Sequence, residues 1–379
     1  MTPQAKRLRL TKEIPFHQDR PVVCVMGAGH GGQAMAGHLA LMGCSVRLFN
    51  RSEQRLDAIK VMGGIRVEGE VEGFGKLEKV TANPKEALEG AELIMVVVPA
   101  TAHAYMAEAA APHLTDGQII VLNPGRTGGA LEFWNILRTR GVSAQVTVAE
   151  AQTLIYASRA VNPAQARIFR IKNMIPVAAL PAYRTPEVVK TLRRIYPQFA
   201  PGDNVLKTSM DNIGAIFHPG ITCLNSGWIE SRHGDFEFYM DGITPATARV
   251  LEALDKERVA VAEALGIRAM SAREWLYMAY DAAGRTLFDA IQSNHGYKGI
   301  KAPISLSTRY LSEDVPMSLV PICSIGDMLG VETPAMKSII SIASLLSAED
   351  YMATGRTVEK LGLAGKTVRE IRKLVLEGE

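Results

Sequence analysis

Several short stretches hold residue types whose spacing could do chemistry. Gly27-Ala28-Gly29-His30-Gly31-Gly32 has the G-x-G-x-x-G spacing and follows the apolar run VVCVMG directly. Gly27 would permit a tight turn, Gly29 a close approach of backbone to a pyrophosphate, and Gly32 close packing of helix on strand. The N-terminus of the helix that follows would face phosphates with unpaired N–H groups. Asn50-Arg51-Ser52 closes the next run, SVRLFN, where an acid usually holds the ribose 2′-OH of NAD. Without that acid a 2′-phosphate is not repelled, and Arg51 offers it a charged fork. NADP is therefore expected ahead of NAD, although a solvated surface arginine would look the same. Val98-Pro99-Ala100 and Asn123-Pro124-Gly125 end two further apolar runs, where ligands bind outside the carboxyl ends of parallel strands. Ordinary turn chemistry accounts for them equally well.

Two residues outside this region have catalytic side chains. His218 lies in the helical stretch DNIGAIFHPG, with Asp211 and Asn212 about two turns earlier. Pro219 and Gly220 suggest a broken helix that exposes the ring, yet a packed core histidine would read the same. Asp314 sits in TRYLSEDVPMSLVP, too polar and proline-containing to be core, where acids are ordinarily solvated.

The elements that must position these residues fall into two regimes. From Pro21, short β-rich runs alternate with helical stretches, the pattern of a doubly wound, mostly parallel sheet. GIRVEG and GKLEKVTA read as an inserted hairpin, and VTVAEA, QARIFRIK and MIPVAALP as later strands. Past about Leu206 nearly everything has helical period, and PGDNVLK is the best boundary. The expected fold class is an α/β Rossmann domain over 21–204 followed by an all-α domain over 205–379. A ligand would sit in the cleft between them, and Pro201 to Asn204 would serve as the hinge. Residues 1–20 are basic, broken by Pro3 and Pro15, and read as a mobile leader without a signal peptide's apolar run.

Bulk properties narrow the function. At 379 residues two domains are the natural division, and 47% hydrophobic with 21% charged residues is ordinary globular composition. A net charge of +3 without a dense basic block makes nucleic acid a poor partner. No apolar stretch approaches the roughly 18 residues of a membrane span. Cys24, Cys44, Cys223 and Cys323 are too scattered for a zinc site or a disulfide framework, which suits a cytoplasmic protein without a metal. The apolar helical half makes a homodimer an expectation.

Read together, the glycine turn, VVVPATAH, LNPGRTGGALEF, NVLKTSMDNIGAIFHP, YMDGITP, YKGIKAPISLSTRYLSEDVPMSLVP and GRTVEKLGLAG resemble the octopine/nopaline (opine) dehydrogenases from about Val22 onward. The resemblance implies NAD(P)H-dependent reductive condensation of an amino acid with a 2-oxo acid, through an imine. It matches His218 to the family's catalytic histidine and Asp314 to its paired aspartate. By residue type and position, Arg309 would take a substrate carboxylate and Asn212 would orient polar groups near the imine. The chain departs from the family at Ala151, Ser158 and Ser318, where Thr or Ser, Cys and Gly are respectively frequent. Arg126 places a further charge beside the expected nicotinamide site, where it could hold a second carboxylate. Two rivals remain on this reading: a 2-hydroxy-acid or ketopantoate-type reductase, and a non-catalytic nucleotide sensor that kept the fold.

Overall fold

The computed structural model describes residues 20–379, so all but the last residue of the basic leader lies outside the described residues. The apolar runs become the strands β1 Val22–Met26, β2 Ser45–Phe49, β3 Gly64–Gly69, β4 Gly73–Lys76, β5 Lys79–Thr81, β6 Leu93–Val96, β7 Ile119–Leu122, β8 Thr147–Ala151, β9 Tyr156–Asn162, β10 Gln165–Ile171, β11 Ile175–Leu180 and β12 Phe199–Pro201. Eight of them form one sheet in the order β12-β11-β8-β7-β6-β1-β2-β5. From β8 to β5 every pairing is parallel, while β11 and β12 run against β8. β6, β7 and β8 are buried along their whole length, as expected for strands covered on both faces. The expected fold class holds: a doubly wound, mostly parallel α/β half precedes a helical half.

The remaining strands form a second sheet, β4-β3-β10-β9, lying against the helix His30–Leu41. Here the sequence reading needs correction. GKLEKVTA is not one arm of a hairpin, because β4 pairs with β3 and β5 pairs with β2 of the large sheet. Buried Leu77 marks the crossing: its N–H reaches Gly63 and that of Glu78 reaches Val46 in the other sheet. β9 and β12 were not anticipated. β9 alternates buried and exposed positions only weakly, and β12 has three residues.

After β12, Asn204 caps the helix Val205–Met210 by accepting the Leu206 and Lys207 N–H groups at 3.0 and 3.1 Å. The helices Gly214–Leu224, Pro245–Ala264, Val320–Leu329 and Pro334–Ser347 supply much of the second half's core. No described helix is long and apolar enough to cross a membrane.

One side chain ties the two halves deep inside. Arg356, from the GRTVEKLGLAG segment, is fully buried. It pairs with Glu132 at 2.8 Å and donates to the carbonyls of Thr127 at 2.8 Å and of Gly125 and Ala100 at 3.4 Å. An arginine without its carboxylate would be costly there, so the pair fixes how the C-terminal segment meets the strand ends.

Candidate active site

The glycine turn folds as its spacing demands. Gly27 has φ +120°, and a Cβ there would run into the Val97 carbonyl and the Val98 side chain. A Cβ on Gly32 would overlap the Gly27 carbonyl oxygen, so helix and turn touch at that point. Gly29 is different: nothing lies within 4 Å of where its Cβ would stand. The fold therefore requires glycine at 27 and 32, whereas at 29 the open space suits a ligand. The helix His30–Leu41 begins with no side-chain cap and no acid in its first turn, which leaves its leading N–H groups for an anion.

The neighbours of this turn are cationic. His30 accepts the Ala160 N–H at 3.0 Å. Burial first, then the charges of Arg159, Arg309 and Arg55, hold its imidazole below the ordinary histidine range. Asn50 accepts the Ala28 N–H at 3.1 Å and donates to the Ser52 carbonyl at 3.0 Å, so it braces the turn. Arg51 is exposed, its guanidinium 4.9 Å over the Tyr105 ring. Of the strand-end residues, Asn123 is buried and donates to the Val121 carbonyl at 2.8 Å, while its Oδ1 has no hydrogen-bond partner. Gly125 packs on Glu150, whose side chain a Cβ there would strike. Val98 and Pro99 keep some exposure, whereas the Ala100 N–H is taken by Glu313 Oε1 at 3.0 Å. An open glycine turn, uncapped N–H groups and converging arginines fit a dinucleotide's phosphates.

Across the crevice, His218 Nδ1 lies 2.8 Å from Asp314 Oδ2. Two readings of these residues change. The helix Gly214–Leu224 runs through Pro219 without breaking, and the ring keeps 20% side-chain exposure because it sits at the crevice. Asp314 is not in a solvated loop. It is fully buried between the short helix Arg309–Ser312 and the π-turn Val315–Leu319. Burial would push its carboxyl up, but Arg126, then His218 and Arg309, outweigh that and hold it below the ordinary aspartate value. The Arg126 guanidinium reaches Asp314 Oδ1 at 2.9 Å and Glu313 Oε1 at 3.4 Å. Thus the carboxylates it holds are the protein's own. Tyr310 stacks on the imidazole with ring centres 4.3 Å apart, fixing its plane. Asn212, buried, donates to Ser318 at 3.0 Å, and Arg309 is mostly exposed with Glu313 at 3.3 Å.

Sequence reasoning missed Glu313, Glu150 and Arg356. Glu150 is buried at the end of β8 and accepts from Thr208 at 2.6 Å, Ala130 N–H at 2.9 Å and Ser209 at 3.1 Å. Burial raises its carboxyl, and these donors pull it back. No local signal distinguishes such acids from surface ones, although Glu313 lay in TRYLSEDVPMSLVP, Glu150 in VTVAEA and Arg356 in GRTVEKLGLAG.

A Rossmann turn facing a buried-acid histidine across an interdomain crevice defines a nicotinamide-dependent dehydrogenase. The model for the NAD/NADP octopine/nopaline dehydrogenase α-helical domain matches residues 201–347, and that for ketopantoate reductase matches 23–129. An opine dehydrogenase from Arthrobacter sp. strain 1C is 38% identical over 352 residues, covering 93% of this chain and 98% of that one. The structure of octopine dehydrogenase with NADH and L-arginine matches 95% of this chain and 98% of its own at TM-score 0.77 and 23% identity. That of yersinopine dehydrogenase with NADP+ bound matches 94% and 98% at TM-score 0.72 and 14% identity. The chain belongs to the octopine/nopaline dehydrogenase family, and it is an NAD(P)-dependent opine dehydrogenase. The ketopantoate reductase family model matches only within the dinucleotide-binding half.

The glycine geometry separates a ligand role from a structural one. Gly29→Val should abolish nucleotide binding by fluorescence titration while leaving the melting temperature near that of the wild type. Gly32→Ala should instead unfold the domain or lower its melting temperature by several degrees. Retained nucleotide affinity in Gly29→Val would refute the placement of the phosphates.

Proposed function

We propose that this enzyme joins an amino acid to a 2-oxo acid, using NADPH in preference to NADH, with His218 and Asp314 as the acid–base pair. The observation that carries the chemistry is the 2.8 Å contact of His218 Nδ1 with buried Asp314, which engages one ring nitrogen of a part-exposed imidazole and leaves Nε2 for a substrate. The balance is amino acid, 2-oxo acid, NADPH and a proton giving a secondary-amine dicarboxylate, NADP+ and water. The amino group adds to the carbonyl carbon, and the resulting carbinolamine loses its hydroxyl as water to leave an imine. His218 Nε2 gives the proton that lets water depart. Asp314 holds the ring in one tautomer and stabilises the imidazolium. When bound, the nicotinamide supplies hydride to the imine carbon. Arg309, at the rim, takes a substrate carboxylate, and Asn212, held by Ser318, orients groups near the imine. Arg126 keeps Asp314 ionised.

The preference for NADPH rests on Arg51, exposed after β2 in the stretch Asn50-Arg51-Ser52, which itself holds no acid, and on the arginines around His30.

Mixing pairs of amino acids and 2-oxo acids with NADPH should give oxidation only when both partners are present. Turnover with a 2-oxo acid alone would instead favour a hydroxy-acid reductase. Arg51→Ala should weaken NADPH roughly tenfold to a hundredfold, the worth of a charge-assisted contact, and leave NADH nearly unchanged. Equal losses for both nucleotides would remove the argument for NADP.

A further inference from the structure

Lys172, in the turn between β10 and β11, is a half-buried cation without a carboxylate. Its ammonium donates to Thr153 Oγ1 at 2.6 Å, and among the described residues it forms no ion pair within 4 Å. The other buried cations nearby are matched: Arg126 by Asp314 and Glu313, Arg356 by Glu132. Burying an ammonium against a single neutral oxygen is costly unless an anion completes the site.

The chain around Thr153 places that ammonium where the two halves meet. Gln152, one residue before, donates to the Asp211 carbonyl at the start of the helical half. Leu154, one residue after, lies against Gly31 of the glycine turn, where a Cβ would be 2.8 Å from it. Thr153 therefore stands between the nucleotide turn and the helices that carry His218.

We propose that Lys172, together with Thr153, is the anchor for the carboxylate of the 2-oxo acid. The inference rests on the condensation reading above and names the group that holds one of its substrates. Two ammonium N–H groups remain free, and Thr153, by accepting from Lys172, has its own proton to donate. A carboxylate can take one bond from each. Charge balance selects the oxo acid over the amino acid: a zwitterionic amino acid brings no net charge, a 2-oxo acid brings one negative charge, and Lys172 is the unmatched positive one. Burial, with Arg126's charge adding to it, lowers this ammonium to about 8, so it is still charged at neutral pH.

The test uses the full-length protein saturated with NADP+, titrated calorimetrically with pyruvate and with 2-oxoglutarate. Lys172→Met should weaken the oxo acid that binds the wild type by tenfold or more, and Lys172→Arg should restore much of the loss. NADP+ affinity should stay within about twofold in both variants. Wild-type oxo-acid affinity in Lys172→Met would overturn the inference and leave the condensation reading standing. Loss of NADP+ affinity with oxo-acid binding intact would assign the ammonium to the pyrophosphate and also overturn it. If the wild type binds neither oxo acid, the condensation reading fails, and this inference with it.

Discussion

The arrangement depends on one buried carboxylate. Asp314 is fully enclosed, and a lone carboxylate there would carry a desolvation cost of several kcal/mol. Both of its oxygens face opposite charge or its precursor: Oδ2 the His218 ring at 2.8 Å, Oδ1 the Arg126 guanidinium at 2.9 Å. Arg126 comes from the turn after β7, and His218 and Asp314 from the helical half. Arg126 is the largest of the charges that hold the acid below its ordinary range, so domain packing and the reactive pair form one system. Arg126 itself has φ +59°, a left-handed conformation costing about 1–3 kcal/mol for a residue with a Cβ. The ion pairs to Asp314 and Glu313 offset it.

The nucleotide side is built on the opposite plan. There the polar groups are left open: helix N–H groups without a cap, a glycine with empty space beside it, and arginines that surround His30. The enzyme thus satisfies its own charges where it must hold a proton donor still, and leaves them unsatisfied where a phosphate is to bind. Lys172 follows the second plan where the two halves meet.

Most of the α/β half was legible because its signals are local. Continuous apolar runs give buried parallel strands, and glycines at fixed spacing give a turn. Leu77 shows where that stops: the chain switches sheets there, and nothing in GKLEKVTA marks a change of partner. Asp314 failed for a related reason. TRYLSEDVPMSLVP is polar and proline-containing, which argues for solvent, yet Asp314 is buried beside Arg126 and His218, both far away in sequence. Glu150, Glu313 and Lys172 are likewise defined by partners that composition does not reveal. The pairing of His218 with Asp314 came from family resemblance, since spacing alone left both residues with ordinary readings.

The central claim is that His218 and Asp314 act as one unit on the proton, and a double-mutant cycle on turnover tests it most directly. His218→Ala and Asp314→Asn should each lower kcat by about a hundredfold to ten-thousandfold with NADPH affinity barely changed. The double variant should be little worse than the worse single one. Losses that multiply would show two independent roles and contradict the account.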